Sequence, residues 1–249
     1  DRLYFSENGE MRREYKRLVK TLFNASEPYM RIVETLAQKI QCMTRKEIIS
    51  SMKAEKGGTL SEQIQNLIEC GFIRKYMVRE KKVVKENSGI YQLVDPFTLF
   101  HLYFNSKAKG DTRFWENHIN TPIVNTWLGL AFEKVCLLHT QQIKEALRID
   151  AISTQQYSWR SKDKKTPAQI DLIIDRADGM INLCELKYSE IDYTLTESEF
   201  NKMERRFAAF VSETGTRKGI FKTLITASPL KKNQYSESIP VKLTADCLY

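Results

Sequence analysis

The sequence lacks several features that would assign it to a specialised class of protein. It has no apolar run long enough to form a membrane helix. Its five cysteines are odd in number, widely spaced and never arranged as C-x-x-C, which argues against a disulfide framework and a zinc site. The three histidines are scattered, without partners at the spacing of metal ligands or of a catalytic triad. We therefore expect a cytoplasmic protein without a membrane segment, in a reducing compartment.

The start of the chain also lacks a signal peptide and an initiating methionine. Because the sequence opens in mid-pattern, we interpret it as part of a longer protein. Residues 8–23 have a helical period and are rich in charge, and we expect residues 1–26 to be a linker helix from an upstream domain. A basic arm is the alternative. The formal net charge of +8 weakly favours a polyanionic partner such as nucleic acid.

Residues 27–95 have the pattern of a winged helix-turn-helix, with three helices followed by two strands. Apolar residues at helical spacing mark the first helix, at residues 27–40. Two capping boxes, each a threonine followed three residues later by a glutamate, predict where the second and third helices begin. A glycine ends the third helix. These signals are Thr44 with Glu47, Thr59 with Glu62, and Gly71; the strands are predicted at residues 72–79 and 90–94.

The third of these helices would be the recognition helix, and its exposed face carries Glu62 and Glu69 without a base. Acidic side chains are unsuited to contact phosphates, so we expect this helix to bind a duplex poorly. The basic strand and wing could touch a nucleic-acid backbone instead, although a purely structural winged helix is an equal alternative. The candidate binding residues are Arg74, Lys75, Arg79, Lys81, Lys82 and Lys85.

The rest of the chain divides into a connecting helical segment, residues 96–120, and a second domain, residues 121–249. The connecting segment is expected to hold a short aromatic helix at residues 97–104 and a polar break at 107–111. The second domain begins with a long helix and continues as three strands, a helix and a strand. These elements are predicted at residues 122–147, 155–161, 169–175, 180–187, 197–212 and 220–227, with a further strand at 241–243.

Two of these strands form a hairpin that brings acidic residues together. A three-residue loop, 177–179, with Gly179 as its left-handed residue, sets Asp171 opposite Glu185. Directly opposed residues hold their Cβ atoms about 4.5–5.5 Å apart. Lys187 lies two residues after Glu185 and therefore on the same sheet face.

Opposed carboxylates repel each other unless a cation lies between them. Mg²⁺ or Mn²⁺ is the simplest candidate, because Mg²⁺ takes one or two carboxylates and keeps waters that a phosphate oxygen can replace. The metal would activate a water molecule for hydrolysis. Lys187 would orient that water or stabilise the charge that develops on phosphorus.

The spacing of these residues resembles the PD-(D/E)XK nuclease motif: Asp171 is followed, after a gap of 13 residues, by Glu185-Leu-Lys187 on a strand. The resemblance covers about residues 121–227. It implies a restriction-endonuclease-like core of α-β-β-β-α-β order, with a further metal ligand from the preceding helix, where Glu133 matches. Ile170 stands where the motif name has proline. The expected fold class is thus α+β or α/β, with metal ligands Asp171, Glu185 and Glu133 and with Lys187 as a further catalytic residue.

A winged helix ending in Tyr91-Gln-Leu-Val-Asp95-Pro-Phe before a nuclease-like domain resembles the C-terminal region of a prokaryotic AAA+ ATPase family. This resemblance implies an upstream ATPase domain in the same polypeptide, and ATP would bind only there. The chain itself has no G-x-x-x-x-G-K-[ST] motif. We expect an appended Mg²⁺-dependent nuclease that hydrolyses nucleic-acid phosphodiesters. The alternative is a catalytically inactive module that binds nucleic acid or a partner and regulates the ATPase.

Overall fold

The computed structural model shows a mixed α+β protein whose chain divides into two compact units. It describes residues 1–23, 27–38, 42–53, 58–76, 79–80, 83–84, 89–163 and 165–249. The N-terminal unit comprises residues 1–75 and 89–128, and the C-terminal unit comprises residues 76–88 and 129–249.

The first half of the chain is mainly helical, with short strands between the helices. Three of these strands form a sheet in the order β1-β5-β2. Strands β1 and β5 pair antiparallel, with Met43 opposite Tyr91. Two others, β3 and β4, pair as a separate hairpin. The elements are α1 (Glu10–Phe23), α2 (Glu27–Gln38), β1 (Met43–Thr44), α3 (Arg45–Met52), α4 (Gly58–Glu69), β2 (Ile73–Tyr76), β3 (Arg79–Glu80), β4 (Val83–Val84), β5 (Ile90–Leu93), α5 (Pro96–Ala108) and α6 (Phe114–His118).

Apolar residues from α2, α3 and α4 form the core of the N-terminal unit together with the sheet. The apolar face predicted for α2 is confirmed, because Ile32, Val33 and Leu36 are buried. On α4, Ile64 and Leu67 are buried while Glu62 and Glu69 are exposed. The helices therefore turn their periodic apolar stripes inward, as the sequence predicts.

The ends of α3 and α4 test the predicted start and stop signals. At α3 the predicted capping box is confirmed: the Glu47 amide donates to Thr44 Oγ1 at 3.2 Å, and the Thr44 amide donates to Glu47 Oε2 at 2.7 Å. The second predicted box is wrong, since α4 begins at Gly58 and Thr59 lies inside its first turn. Gly71 ends α4 as predicted, with a φ of +77° that a side chain would disfavour.

Aromatic packing dominates the rest of the N-terminal unit. Helix α5 runs to Ala108, four residues beyond its predicted end, and Asp95 caps its start by accepting from the Thr98 amide at 2.7 Å. Phe104 and Phe114 are fully buried against each other, with ring centroids 5.7 Å apart. This cluster gives the unit a core that contains few charged groups.

The C-terminal unit is built on one five-stranded sheet, and its longer segment, residues 129–249, begins within α7. The sheet order is β10-β9-β8-β7-β6. Strands β6, β7 and β8 are antiparallel to their neighbours in this run, whereas β8, β9 and β10 are parallel. The elements are α7 (Pro122–Leu138), α8 (Thr140–Ala146), β6 (Thr154–Arg160), β7 (Gln169–Arg176), β8 (Met180–Lys187), α9 (Glu197–Thr214), β9 (Gly219–Thr226), α10 (Gln234–Glu237) and β10 (Val241–Thr244), followed by a 3₁₀ turn (Ala245–Leu248).

The single long helix predicted at residues 122–147 is wrong. Two helices, α7 and α8, meet at His139, whose ψ of +31° lies outside the helical range. Neither glycine nor proline marks the break, which is why periodicity alone runs through it. The five strands predicted for this unit, by contrast, begin and end within one residue of the observed strands, whereas the strand predicted at residues 72–79 is observed as β2, which ends at Tyr76.

Helix α9 covers the sheet face that also carries the acidic residues. Met203, Phe207 and Phe210 of α9 pack into one apolar cluster with Ile173 and Leu183. This crossover joins two parallel strands, β8 and β9, as such connections require. The side chains of α9 therefore lie over the central strands of the sheet.

Candidate functional site

The β7–β8 hairpin places Asp171 and Glu185 side by side. The ladder pairs Leu172 with Cys184 and Asp175 with Ile181, and the same register continued by one residue sets Asp171 opposite Glu185. Opposed residues of an antiparallel pair point to the same face. The predicted hairpin and its register are therefore confirmed.

The loop that sets this register has the predicted length and conformation. It comprises residues 177–179, and Gly179 has a φ of +86°. Arg176 and Asp178 form an ion pair across it, and Asp178 Oδ1 also accepts from the Met180 amide at 3.3 Å. A left-handed glycine and an aspartate that accepts from the backbone are both turn-forming features, so the loop holds the register locally.

Glu185 is buried and bound by two cations. Glu185 as a whole residue is 6% exposed. Its Oε1 lies 3.0 Å from Lys187 Nζ and 2.8 Å from a terminal nitrogen of Arg206. Charge-assisted pairs at these distances neutralise a carboxylate that burial would otherwise disfavour. Lys187 thus shares the face of Glu185, as the two-residue spacing predicts.

Asp171 lies at the more open edge of the same group. It is partly buried, and its Oδ1 accepts a hydrogen bond from Gln169 Nε2 at 2.5 Å. The Oε1 of Gln169 is buried and makes no hydrogen bond within the described part of the chain. The amide therefore orients one oxygen of Asp171 and presents an unused acceptor beside it.

Glu133 on α7 belongs to the same electrostatic group. Burial, followed by the charges of Asp171 and Glu185, raises its pKa from 4.5 to about 7, while Lys134 and Lys187 lower it. Carboxylates that raise the pKa of a neighbour in this way are close in space. Glu133, the helix residue matched to the nuclease motif, is thus coupled electrostatically to both strand carboxylates.

The type of these donors fits Mg²⁺ or Mn²⁺, and the excess negative charge at Glu133 fits a bound cation. Among the residues with described positions, however, no three His, Cys, Asp or Glu side chains are arranged as a ready metal cluster. Instead, Lys187 and Arg206 hold Glu185 Oε1. Asp171 and Glu185 share a sheet face, but the three carboxylates do not form a metal-binding group within the described residues.

Sequence reasoning missed Arg206 and Gln169. Arg206 lies on α9 beside a buried apolar stripe formed by Met203, Phe207 and Phe210. It is three residues after Met203 and four residues before Phe210. A base at that spacing on an apolar helix face is the signal that could have revealed it. Gln169 is two residues before Asp171 on the same strand, and period two alone places them on one face.

The basic candidates for nucleic-acid contact are only partly described. Arg74 is partly buried and Lys75 is exposed, both on β2. The side chain of Arg79 and the residues Lys81, Lys82 and Lys85 lie outside the described residues.

The cysteines and histidines have structural surroundings. All five cysteines are free. Buried His101 forms a hydrogen bond between its Nδ1 and the Tyr4 hydroxyl at 2.9 Å. Its ring stacks on that of Tyr15, with ring centroids 3.7 Å apart, and burial lowers its pKa to about 4. The other two, His118 and His139, bond through Nδ1 to backbone oxygens one helical turn earlier.

Comparisons with protein-family models, with curated proteins and with solved structures found no match to this chain. Within the described residues, no helix combines the length and the apolar character that a membrane crossing requires. The site must therefore be interpreted from its own geometry.

Proposed function

We propose that the C-terminal unit is a divalent-metal-dependent nuclease that hydrolyses nucleic-acid phosphodiesters. One observation carries the proposal: the β7–β8 register sets Asp171 opposite Glu185, with Lys187 on the same face. The raised pKa of Glu133 supports the proposal, because the charges of Asp171 and Glu185 contribute to that rise and so link a third acid to the same pair.

In this proposal Asp171, Glu185 and Glu133 hold Mg²⁺ or Mn²⁺. When bound, the metal supplies an acidified water and offsets the charge that develops on phosphorus. Gln169 keeps one oxygen of Asp171 in place through its 2.5 Å hydrogen bond. Lys187, 3.0 Å from Glu185 Oε1, presents its ammonium group where an attacking water and a phosphoryl oxygen would meet the carboxylates.

The arrangement of elements supports a finer assignment of the fold. Three helices, α2 to α4, with the sheet β1-β5-β2 match the order of a winged helix-turn-helix. Helix α7, strands β6 to β8, helix α9 and strand β9 match the α-β-β-β-α-β order of a PD-(D/E)XK core. We extend the proposal to the arrangement that these two parts resemble, the C-terminal region of a prokaryotic AAA+ ATPase, in which ATP binds to a separate domain.

A second candidate function is a non-catalytic module that binds nucleic acid or a partner. The observation in its favour is that Lys187 and Arg206 already neutralise Glu185. A site that has lost its metal would keep this internal pairing as a structural element.

The test is a cleavage assay with single- and double-stranded DNA and RNA in Mg²⁺ or Mn²⁺. The wild type should cleave at least one substrate, and chelation should stop it. Asp171→Asn and Lys187→Ala should each lower the rate roughly 100-fold or more, whereas Lys165→Gln, an exposed change of charge in the β6–β7 connection, should retain most of it. Metal binding without cleavage of any substrate would favour the second candidate.

A further inference from the structure

One oxygen of Glu185 receives both of its cations. Arg206 and Lys187 approach Oε1, at 2.8 Å and 3.0 Å, and the side chain of Glu185 is 7% exposed. A carboxylate oxygen has two lone pairs, and Lys187 and Arg206 at hydrogen-bond distance use both of those on Oε1, so a divalent ion can bind this oxygen only if one cation leaves. The two cations and a metal therefore compete for one buried group.

The two competitors differ in how they are held. Lys187 follows Glu185 on the same strand, so it stays beside the carboxylate whatever α9 does. Arg206 comes from α9, whose start is fixed by a capping box between Thr196 and Glu199. Its Nε also donates to the Lys202 backbone oxygen at 3.3 Å, so the side chain is anchored on α9 and not on the sheet. Arg206 can thus rotate off Glu185 about its own side-chain bonds without any movement of the sheet.

We propose that Arg206 is a positioning residue that occupies Glu185 Oε1 as a resident cation and must leave it when a divalent ion binds. This inference rests on the proposed metal site. It accounts for the lack of a ready metal cluster among the described residues, because Arg206 pairs with Glu185 Oε1. Once displaced, the guanidinium remains at the edge of the site, where its fork geometry suits a phosphate oxygen.

The competition predicts how metal affinity responds to the loss of the arginine. Calorimetric titration of the purified chain with Mn²⁺ alone compares wild type with Arg206→Gln, Arg206→Lys and Arg205→Gln. Arg205 is the matched control, since it is adjacent, exposed and bonded through its Nε to the Asn201 backbone. Arg206→Gln should bind Mn²⁺ roughly tenfold more tightly, the equivalent of about 1.4 kcal/mol. Arg205→Gln and Arg206→Lys should stay close to wild type.

Repeating the titration at high salt separates direct competition from general repulsion. Screening removes interactions between exposed charges beyond about 3 Å at 1 M salt, whereas a contact at a buried oxygen persists. The difference between wild type and Arg206→Gln should therefore survive in 1 M salt. Thermal unfolding without metal checks that the variant folds, and added Mn²⁺ should raise its Tm more than that of wild type.

The outcomes distinguish this inference from the function on which it rests. Equal Mn²⁺ affinity in wild type and Asp171→Asn would remove the metal site itself. Asp171-dependent binding that Arg206→Gln leaves unchanged or weakens would overturn the role of Arg206 and leave the metal site standing. If Arg206→Gln does not fold, Arg206→Met, which also removes the cation, takes its place in the same titration: tighter binding supports the proposal, and unchanged or weaker binding overturns it.

Discussion

Two buried carboxylates, Asp175 and Glu185, lie on the same sheet face and have different surroundings. Asp175 is 8% exposed, and it pairs with Lys218 at 2.5 Å and accepts from the Tyr157 hydroxyl at 3.3 Å. Lys218 also donates to the Arg176 backbone oxygen at 2.6 Å, so the pair is tied into the hairpin. We refer to this group as the hairpin-end pair.

Glu185 pairs with two cations and yet lies in an acidic group. Lys187 and Arg206 both reach it, but Asp171 and Glu133 are close by, and the pKa of Glu133 remains raised to about 7. A structural ion pair balances its charge locally, whereas a binding site keeps a charge surplus that a ligand can relieve. The two ends of this sheet face therefore differ in the charged groups that surround a buried carboxylate.

The largest expected effect is on the hairpin-end pair. Lys218→Met should lower the free energy of unfolding by about 3 kcal/mol, since it removes the Lys218 ammonium group from the buried Asp175 carboxylate. Urea denaturation at neutral pH measures the change. Arg217→Met, at the exposed neighbouring position, should change stability by about 0.5 kcal/mol or less. A loss no larger for Lys218→Met than for Arg217→Met would show that the pair contributes nothing and would erase the contrast.

An intermediate effect is expected from Glu133, through pH. Because its folded pKa is raised, the folded protein holds a proton between pH 4.5 and 7 that the unfolded chain has lost. Stability from this group is therefore present below pH 4.5 and is lost as the pH rises toward 7. The loss should be about 2 kcal/mol after allowance for partial exposure.

Urea denaturation at pH 5 and 7 in a metal chelator measures this slope. Glu133→Gln should flatten it, whereas Glu145→Gln, at an exposed position on α8, should leave it unchanged. An unaltered slope in Glu133→Gln would mean that the acidic group carries no surplus charge.

The smallest expected effect concerns the loop between the two ends. Gly179→Ala should cost about 1 kcal/mol, because alanine is strained at a φ of +86°. Gly129→Ala makes the same change within helix α7, where an added Cβ meets no atom within 4 Å, and should stabilise by about 0.5–1 kcal/mol. Thermal unfolding of both proteins gives the comparison, and effects of the same sign would show that the loop conformation does not constrain the hairpin.

The hairpin could be predicted from sequence because its determinants are local. Loop length and the left-handed Gly179 set the register, and the strand period of two then sets which side chains share a face. Asp171, Glu185 and Lys187 follow from these rules alone. The placement of Glu133 needed the resemblance to a nuclease motif, since no local rule brings α7 to the edge of the hairpin.

Other features depend on tertiary packing and could not be predicted from local patterns. Arg206 reaches Glu185 only because α9 crosses the sheet in the observed direction, which no periodicity specifies. The break at His139 has no turn residue, and α4 starts at Gly58, two residues before the start that a cap at Thr59 predicts. These differences share one cause: the neighbouring elements decide where an element ends or what its side chains touch.

Calorimetric titration of wild type, Asp171→Asn and Asp175→Asn with Mn²⁺ is the sharpest test of a metal site between Asp171 and Glu185. Both substitutions make the same chemical change on the same strand and face, four residues apart, so they compare the two ends of the sheet. We expect wild type and Asp175→Asn to bind Mn²⁺ alike and Asp171→Asn to lose binding. Equal binding by all three proteins, or loss only in Asp175→Asn, would contradict a metal site between Asp171 and Glu185.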